Sequence, residues 1–429
     1  MENWKRNFAF VWLNNFITSV GMMAFIPLFP LYLRDVGIED EAEVRLWSGV
    51  LVGAAPLAAA FMGPLWGALG DRVGRKLMLL RANFAIVVFV GLMGLARTPE
   101  QLLALRLAQG CFSGFMAPAL TLVSVMTPDD RQGRVTGLLH TAVIAGGVVG
   151  PLAGGAIADQ MGLRPVFLIT AGLSAVAGFT TMAWVREAHE LRAPGQGGFS
   201  AWALLQTAAR DIVGFAREGP LRSILLVVFA VRFGAALVDP ILVLFIETLE
   251  GYDPRLLATV TGLVFGVTMV ATLVLTPVWG KLGDRSGAGR LLAICATGAG
   301  LAYLPQAFVG DVYALGALRF LSGAFLAGIF PAAYTMTARH SSRERRGSAY
   351  GFTFSSLILA NALGPMVGGT LAAVIGLQAL IVVGALLMLG AAARVMVLNG
   401  RWARASVAGS GAATPGAPAP RSEGSGAPR

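Results

Sequence analysis

The sequence predicts an all-α integral membrane protein of twelve transmembrane helices, arranged as two related six-helix halves. Three observations carry that prediction. The 429 residues are 56% hydrophobic and only 13% charged, with a mean hydropathy of +0.70, well outside the range of an ordinary water-soluble chain. Charge-poor stretches of membrane-spanning length recur from end to end. Landmarks of the first half return, in order, in the second.

A helix needs about 20 apolar residues to cross a hydrocarbon core of about 30 Å. In the first half, stretches of that kind occupy 7–33, 46–70, 77–96, 107–128, 135–158 and 165–185. In the second they occupy 224–249, 256–280, 291–310 and 320–338. A charge-free run over 347–393 is too long for one span and must fold back, with the turn expected near Gly376. The total is twelve, and an even number puts both chain ends on one side.

The 33 Lys and Arg residues gather on the segments that share a side with the N-terminus and are sparse on the opposite loops. Positive residues are retained on the cytoplasmic face, so both termini are expected inside a bacterial inner membrane. The first apolar segment follows Lys5 and Arg6 and lacks a cleavage-site pattern, so it reads as a retained helix. The net charge of +10 then answers to topology and anionic lipid headgroups. Nucleic acid is not an expected partner, because the basic residues are dispersed over short loops. Cys111 and Cys295 both fall inside spans, and no disulfide is expected.

The repeat is explicit. Pro64-Leu-Trp66-Gly67-Ala-Leu-Gly70-Asp71-Arg72 returns in the second half as Pro277-Val-Trp279-Gly280-Lys-Leu-Gly283-Asp284-Arg285. Gly150-Pro151-x-x-Gly154-Gly155 returns, with the spacing changed by a single position, as Gly364-Pro365-x-x-Gly368-Gly369. The organisation read from this is a first bundle over 1–185, a polar connector over 186–221, a second bundle over 222–401 and a tail over 402–429. In the connector, Trp202, Leu205, Ile212, Val213 and Phe215 suit either an interfacial helix or a solvated linker. The tail is rich in Ala, Gly, Pro and Ser and is expected to be disordered.

The loop after the second span reads Gly67-x-x-Gly70-Asp71-Arg72-x-Gly74-Arg75-Lys76. Its glycines allow a sharp turn and close helix approach, and Asp71 suits the positive N-terminal end of a helix from the other half, the eleventh span near Gly347. The second copy keeps Asp284 and Arg285 but is one residue longer and poorer in charge after Gly287. The fifth span reads Gly137, eight residues, Gly146, three residues, Gly150-Pro151, two residues, Gly154-Gly155: a Pro-bent helix with small faces for tight packing. Its second-half copy keeps Gly351 but has Ala360 in place of Gly146. The fourth span carries Arg106-x-x-Gln109-Gly110, with Arg106, Gln109 and Ser113 on a shared helix face suited to a polar cavity.

With these motifs the chain resembles the major facilitator superfamily over essentially all twelve spans, and within it the twelve-span drug:proton antiporter-1 branch. The resemblance implies that the Gly67–Lys76 loop acts as a gating latch, with Arg75 paired to Asp129 or Asp130. It also implies that the fifth-span signature marks an antiporter, that Arg106 and Gln109 take part in proton transfer, and that spans 1, 4, 7 and 10 line a central cavity. Those spans carry Asn14 and Asn15, Arg106, Arg232 and Asp239, and Arg319. A charged side chain inside a span costs about 2.5–3.5 kcal/mol on insertion scales, which favours a functional reason for each. Asp239, just before Pro240, is the leading candidate for the proton: a carboxylate in low dielectric must take up a proton or meet a cation. The competing role is a structural ion pair with a neighbouring arginine. His140 is a weaker candidate of the same kind.

No Gly-x-x-x-x-Gly-Lys phosphate loop, metal-ligand cluster or nucleophile motif occurs. Neither an enzyme activity nor a metal or organic cofactor is expected, which leaves an ion gradient as the energy source. The function implied is export of small amphipathic molecules, drugs by family default, in exchange for protons, by a chain acting as a monomer. A dedicated exporter of a sugar, amino acid or other metabolite fits the same motifs. A non-transporting membrane sensor could keep the fold but would have little reason to keep four charged residues in spans.

Overall fold

The computed structural model describes residues 4–187, 219–341 and 346–411 of the chain. Among them are twelve helical segments long and apolar enough to cross a membrane. In the first half these are α1 (Trp4–Asp35), α2 (Glu41–Gly70), α3 (Arg75–Met93), α4 (Pro99–Met126), α5 (Gln132–Met161) and α6 (Leu163–Trp184). In the second they are α7 (Leu221–Ile246), α8 (Pro254–Gly283), α9 (Ala288–Phe308), α10 (Val312–His340), α11 (Ala349–Ile375) and α12 (Leu377–Leu398). The helix of α12 continues to Gly411, into the region that composition assigns to a disordered tail. Alanines at 403, 405 and 408 are strong helix formers that let it run on. Most of the connector, and residues 412–429, lie outside the described residues.

Each half is built the same way. In the first, α1 packs on α5 and α6, α3 on α6, and α2 on α4; in the second, α7 packs on α11 and α12, α9 on α12, and α8 on α10. The sequence repeat extends to single hydrogen bonds. Trp66 Nε1 donates to the carbonyl of Cys111 at 2.6 Å, and its repeat mate Trp279 donates through Nε1 to that of Ala324 at 2.6 Å.

The tight turns between antiparallel helices repeat as well. Gly74 and Gly287 (φ 104° and 88°) end α2 and α8, and Gly162 and Gly376 (φ 91° and 84°) end α5 and α11. A Cβ is disfavoured in that left-handed region, so the predicted hairpin turn falls where a glycine permits it. Gly376→Ala is expected to lower unfolding stability by about 1–2 kcal/mol. Thermal melting of the purified protein in detergent measures it; an unchanged melting temperature would contradict this account of the turn.

The halves meet through α2 against α11 and α5 against α8. At the end away from the termini these pairs are in backbone contact. A Cβ on Gly49 would lie 2.8 Å from the Cα of Gly369, and one on Gly155 would lie 2.7 Å from the Cα of Thr259. Nearer the termini, Gly63 and Gly67 on α2, Gly137 on α5, Gly280 on α8 and Gly351 on α11 would meet nothing within 4 Å. The two halves are therefore joined at the far end and splayed at the terminal end. A cleft opens between them on the side of the termini.

Two helices break at equivalent places. Ile26–Leu28 of α1 and Asp239–Ile241 of α7 are 3-10 turns, set by Pro27 and Pro240, which lack the N–H that would continue the α-helix. The two breaks touch each other, and that of α7 also touches α2. They lie at the closed end of the cleft.

Candidate functional site

Arg232 and Asp239 stand two turns apart along one face of α7. Asp239 Oδ2 lies 3.6 Å from Arg232 NH2, and its Oδ1 lies 3.8 Å from NH1 of Arg319 on α10. Both distances exceed a hydrogen bond, so the three groups are held by charge. Arg232 Nε donates to Asn361 Oδ1 on α11 at 2.7 Å. Arg319 NH1 donates to the Tyr303 hydroxyl on α9 at 3.1 Å, with its guanidinium 5.2 Å from the ring centre. Arg319 is only 3% exposed, whereas Asp239 and Arg232 are 27% and 33% exposed. Nε and NH2 of Arg319 are buried with no hydrogen-bond partner. Two guanidinium groups thus share one carboxylate inside the second half, on a 3-10 turn whose backbone touches the first.

Arg106 is the repeat mate of Arg319, related to it by the same offset as Trp66 to Trp279, yet its surroundings differ. It is 1% exposed and meets no carboxylate within salt-bridge range among the described residues. Nε donates to the Leu51 carbonyl at 2.9 Å, NH1 to Gln109 Oε1 at 2.6 Å, and NH2 to the Val52 carbonyl at 3.4 Å. Pro56 explains the second carbonyl. Having no N–H, it cannot bond the carbonyl four residues earlier, so that of Val52 is left for the guanidinium. Phe25 and Phe29 cover the cation at 5.7 and 5.3 Å. Arg106 and Gln109 are therefore enclosed within the first half, where sequence reasoning had them lining a polar cavity. They tie α4 to α2.

Asn14 and Asn15 are likewise fully buried and do not open onto the cleft as the resemblance implies. Asn14 Nδ2 donates to Thr181 Oγ1 on α6 at 3.0 Å, while Asn14 Oδ1 accepts from Asn83 Nδ2 on α3 at 3.0 Å and from Thr18 at 3.2 Å. A buried carboxamide needs partners, and these three helices supply them. Asn15 Nδ2 returns to the Val11 carbonyl, leaving Oδ1 without a partner.

In the loop after α2, Gly70 packs on Met78 and Gly67 faces open space. Beyond Gly74, the backbone N–H groups of Arg75 and Lys76 both donate at 2.9 Å to the carboxylate of Glu187, and Lys76 Nζ donates to the Met182 carbonyl at 2.8 Å. Glu187 thus caps the start of α3. Asp130, one of the two acids expected opposite Arg75, is 3.4 Å from Arg131. The side chains of Asp71, Asp129 and Asp284, and those of residues 346–348 just before α11, lie outside the described residues; those of Arg72 and Arg285 are exposed.

The fifth-span glycines do separate work. Gly146, Gly150 and Gly154 seat α5 on Ser19, Val20, Met23 and Ala24 of α1. Gly155 seats it on Ala258 and Thr259 of α8, with Pro151 against Gly262 of the same helix. Gly137 meets nothing. The signature is a double seam: one side holds a half together, and the other joins the halves.

Tyr303 and Asn361 escape sequence reasoning, though aligning Arg319 with Arg106 through the internal repeat would have marked that level of the bundle.

Comparisons with known proteins agree with this architecture. A family model described as Major Facilitator Superfamily matches residues 11–259 and again 224–425. The multidrug resistance protein MdtG of Serratia proteamaculans is 35% identical over 388 residues, covering 90% of this chain and 92% of its own. MdtG of Citrobacter koseri is 34% identical over 378 residues, covering 88% and 91%. Among solved structures, a bacterial homologue of the human lysosomal transporter Spinster, in an inward-facing and unoccupied conformation, superposes with a TM-score of 0.73 at 17% identity, covering 92% of this chain and 96% of its own. The nucleoside transporter NupG superposes with a TM-score of 0.72 at 14% identity, covering 91% and 99%. With two overlapping family matches across a duplicated twelve-helix architecture, this integral membrane protein belongs to the major facilitator superfamily.

Proposed function

We propose that the protein exports small amphipathic molecules across a bacterial inner membrane in exchange for protons, by alternating access. It is a transporter rather than an enzyme. The observation that carries the exchange is the cluster of Arg232, Asp239 and Arg319 at the closed end of the cleft. With both termini cytoplasmic, the cleft opens inward, and cargo reaches the cluster from the cytoplasm through a single chain acting as a monomer in lipid.

Asp239 is the proton carrier in this reading. While it is charged, its carboxylate occupies the two guanidinium groups; once protonated, it releases them. Exchange needs proton and cargo to exclude one another: cargo is held while the carboxylate is charged, and protonation, which leaves Arg232 and Arg319 without their counter-ion, expels it. The positive charge freed by protonation repels a cationic head most, so the exclusion is strongest for cargo that presents a cationic head on an apolar body. The MdtG relatives, which bear a multidrug resistance name, support drug-like molecules over a single metabolite. The units that rock are 1–185 and 222–401.

Everted membrane vesicles, energised and then challenged with amphipathic drugs, test the reading. Cationic drugs are expected to collapse the pH gradient at lower concentration than acidic ones of equal hydrophobicity. Absence of collapse with every drug, from correctly inserted protein, would overturn export of drugs and favour a dedicated metabolite exporter. Collapse by acidic drugs alone would overturn the cargo polarity.

A further inference from the structure

At the far end of the bundle the halves are joined by charged groups as well as by glycines. Arg34, at the end of α1, forms a two-pronged pair with Glu247, just past α7: NH1 to Oε1 at 2.9 Å and NH2 to Oε2 at 2.9 Å. Glu41 at the start of α2 steadies the same guanidinium, accepting from NH2 at 2.6 Å. On the α5/α8 seam, the carboxylate of Asp159 accepts the backbone N–H groups of Ala258 and Thr259, at 3.1 and 2.7 Å. On the α2/α11 seam, Arg45 NH1 donates to the carbonyl of Ala372 at 3.3 Å.

These contacts obey the internal repeat. Arg34 and Glu247 occupy the same position in their halves, separated by the offset that relates Trp66 to Trp279, so the pair spans the axis between the halves. The same offset relates Arg45 to Ala258 and Asp159 to Ala372. The two seams therefore carry one contact made twice with inverted chemistry. On one, an anion sits at the N-terminal end of α8, where the first-turn N–H groups lack helical partners; on the other, a cation sits at the C-terminal end of α11. Each partner in these cross-half contacts belongs to the opposite half, so rocking that opens this end must break all of them together.

We propose that Arg34–Glu247 and Asp159 on the start of α8 form the lock of the closed end, and that they set the population of the cleft-open conformation seen here. Arg34 and Glu247 are 30% and 40% exposed, so water competes with the pair and the lock releases without leaving a charge buried. The inference rests on the alternating-access reading, but its test needs neither cargo nor protons.

Spin labels at Glu39→Cys and Arg255→Cys, exposed on opposite halves at this end, report the separation in full-length protein in lipid nanodiscs. The background carries Cys111→Ser and Cys295→Ala. The native lock is expected to give a single short distance, and Arg34→Gln and Asp159→Asn each to add a longer one. The reversed pair, Arg34→Glu with Glu247→Arg, is expected to remove the longer distance that Arg34→Glu alone produces. A distance distribution unmoved by Arg34→Gln and by Asp159→Asn would overturn the lock, as would a reversed pair that opens further than either single reversal. Should Asp159→Asn fail to fold, the Arg34 and Glu247 variants decide. Loss of proton-driven transport with the distances shifting as expected would leave the lock standing and count against the exchange mechanism alone.

Discussion

Asp239→Asn is expected to abolish proton-driven efflux while leaving cargo-for-cargo exchange intact. Asparagine preserves the shape of the carboxylate but cannot gain and lose a proton, so the two arginines keep a neutral neighbour at every stage of the cycle. At saturating concentration cargo can still bind and the halves can still rock with it aboard, which is all that exchange requires. Net efflux against a gradient needs a return step with the proton aboard, after which the carboxylate gives it up inside and reclaims Arg232 and Arg319 at 3.6 and 3.8 Å. Two assays on one reconstituted preparation check this: uphill efflux driven by an imposed pH gradient, and equilibrium exchange of labelled cargo without one. Loss of both would point to a structural ion pair, and retention of both would move the proton to another group. The folding risk is small, because Asp239 is partly exposed and its contacts with both arginines are longer than a hydrogen bond.

Two glycines of one motif are expected to fail in opposite ways. Gly154→Val should prevent the first half from assembling, because its Cβ would strike the backbone of Ala24, lying 2.7 Å from the Cα and closer still to the carbonyl oxygen. Overpacking against movable side chains costs about 1–3 kcal/mol; a backbone that is itself part of a packed helix yields less, so the cost here should exceed that range. Gly137→Val meets open space in this conformation and should fold and melt like the native protein. It should nonetheless transport poorly, because closing the terminal end brings that face of α5 toward α8. Size-exclusion profiles and melting curves separate the first outcome, and vesicle transport the second. Equal stability of the two variants would show that the seam tolerates far more than its geometry allows.

Much of this architecture was legible in the chain. Spans 1–12 follow from apolar length alone, and the hairpin in the long run over 347–393 turns at Gly376 because only a glycine accommodates the backbone there. The cluster of Arg232, Asp239 and Arg319 was legible as a set, since the insertion cost of charge leaves few such residues. Its mutual contacts were not: whether Asp239 meets α10 depends on how much Pro240 turns the end of α7, and periodicity does not encode that. Arg106 shows the same limit from the other side. Its helix face suits a cavity, but the carbonyls of Leu51 and Val52 on a different helix, the latter left free by Pro56, hold it inside the bundle instead. Arg34 and Glu247 lie at span ends, where charge is cheap and sequence gives no reason to single them out.

The sign change at that one repeated position also bears on which halves pair. Two copies of the first half, assembled about the same axis, would set Arg34 against Arg34; two copies of the second would oppose Glu247 to itself. Only the mixed pairing is attractive. At this position the split of charge favours pairing of the two different halves over either self-pairing, a preference of about 1 kcal/mol or less for a pair as exposed as this one.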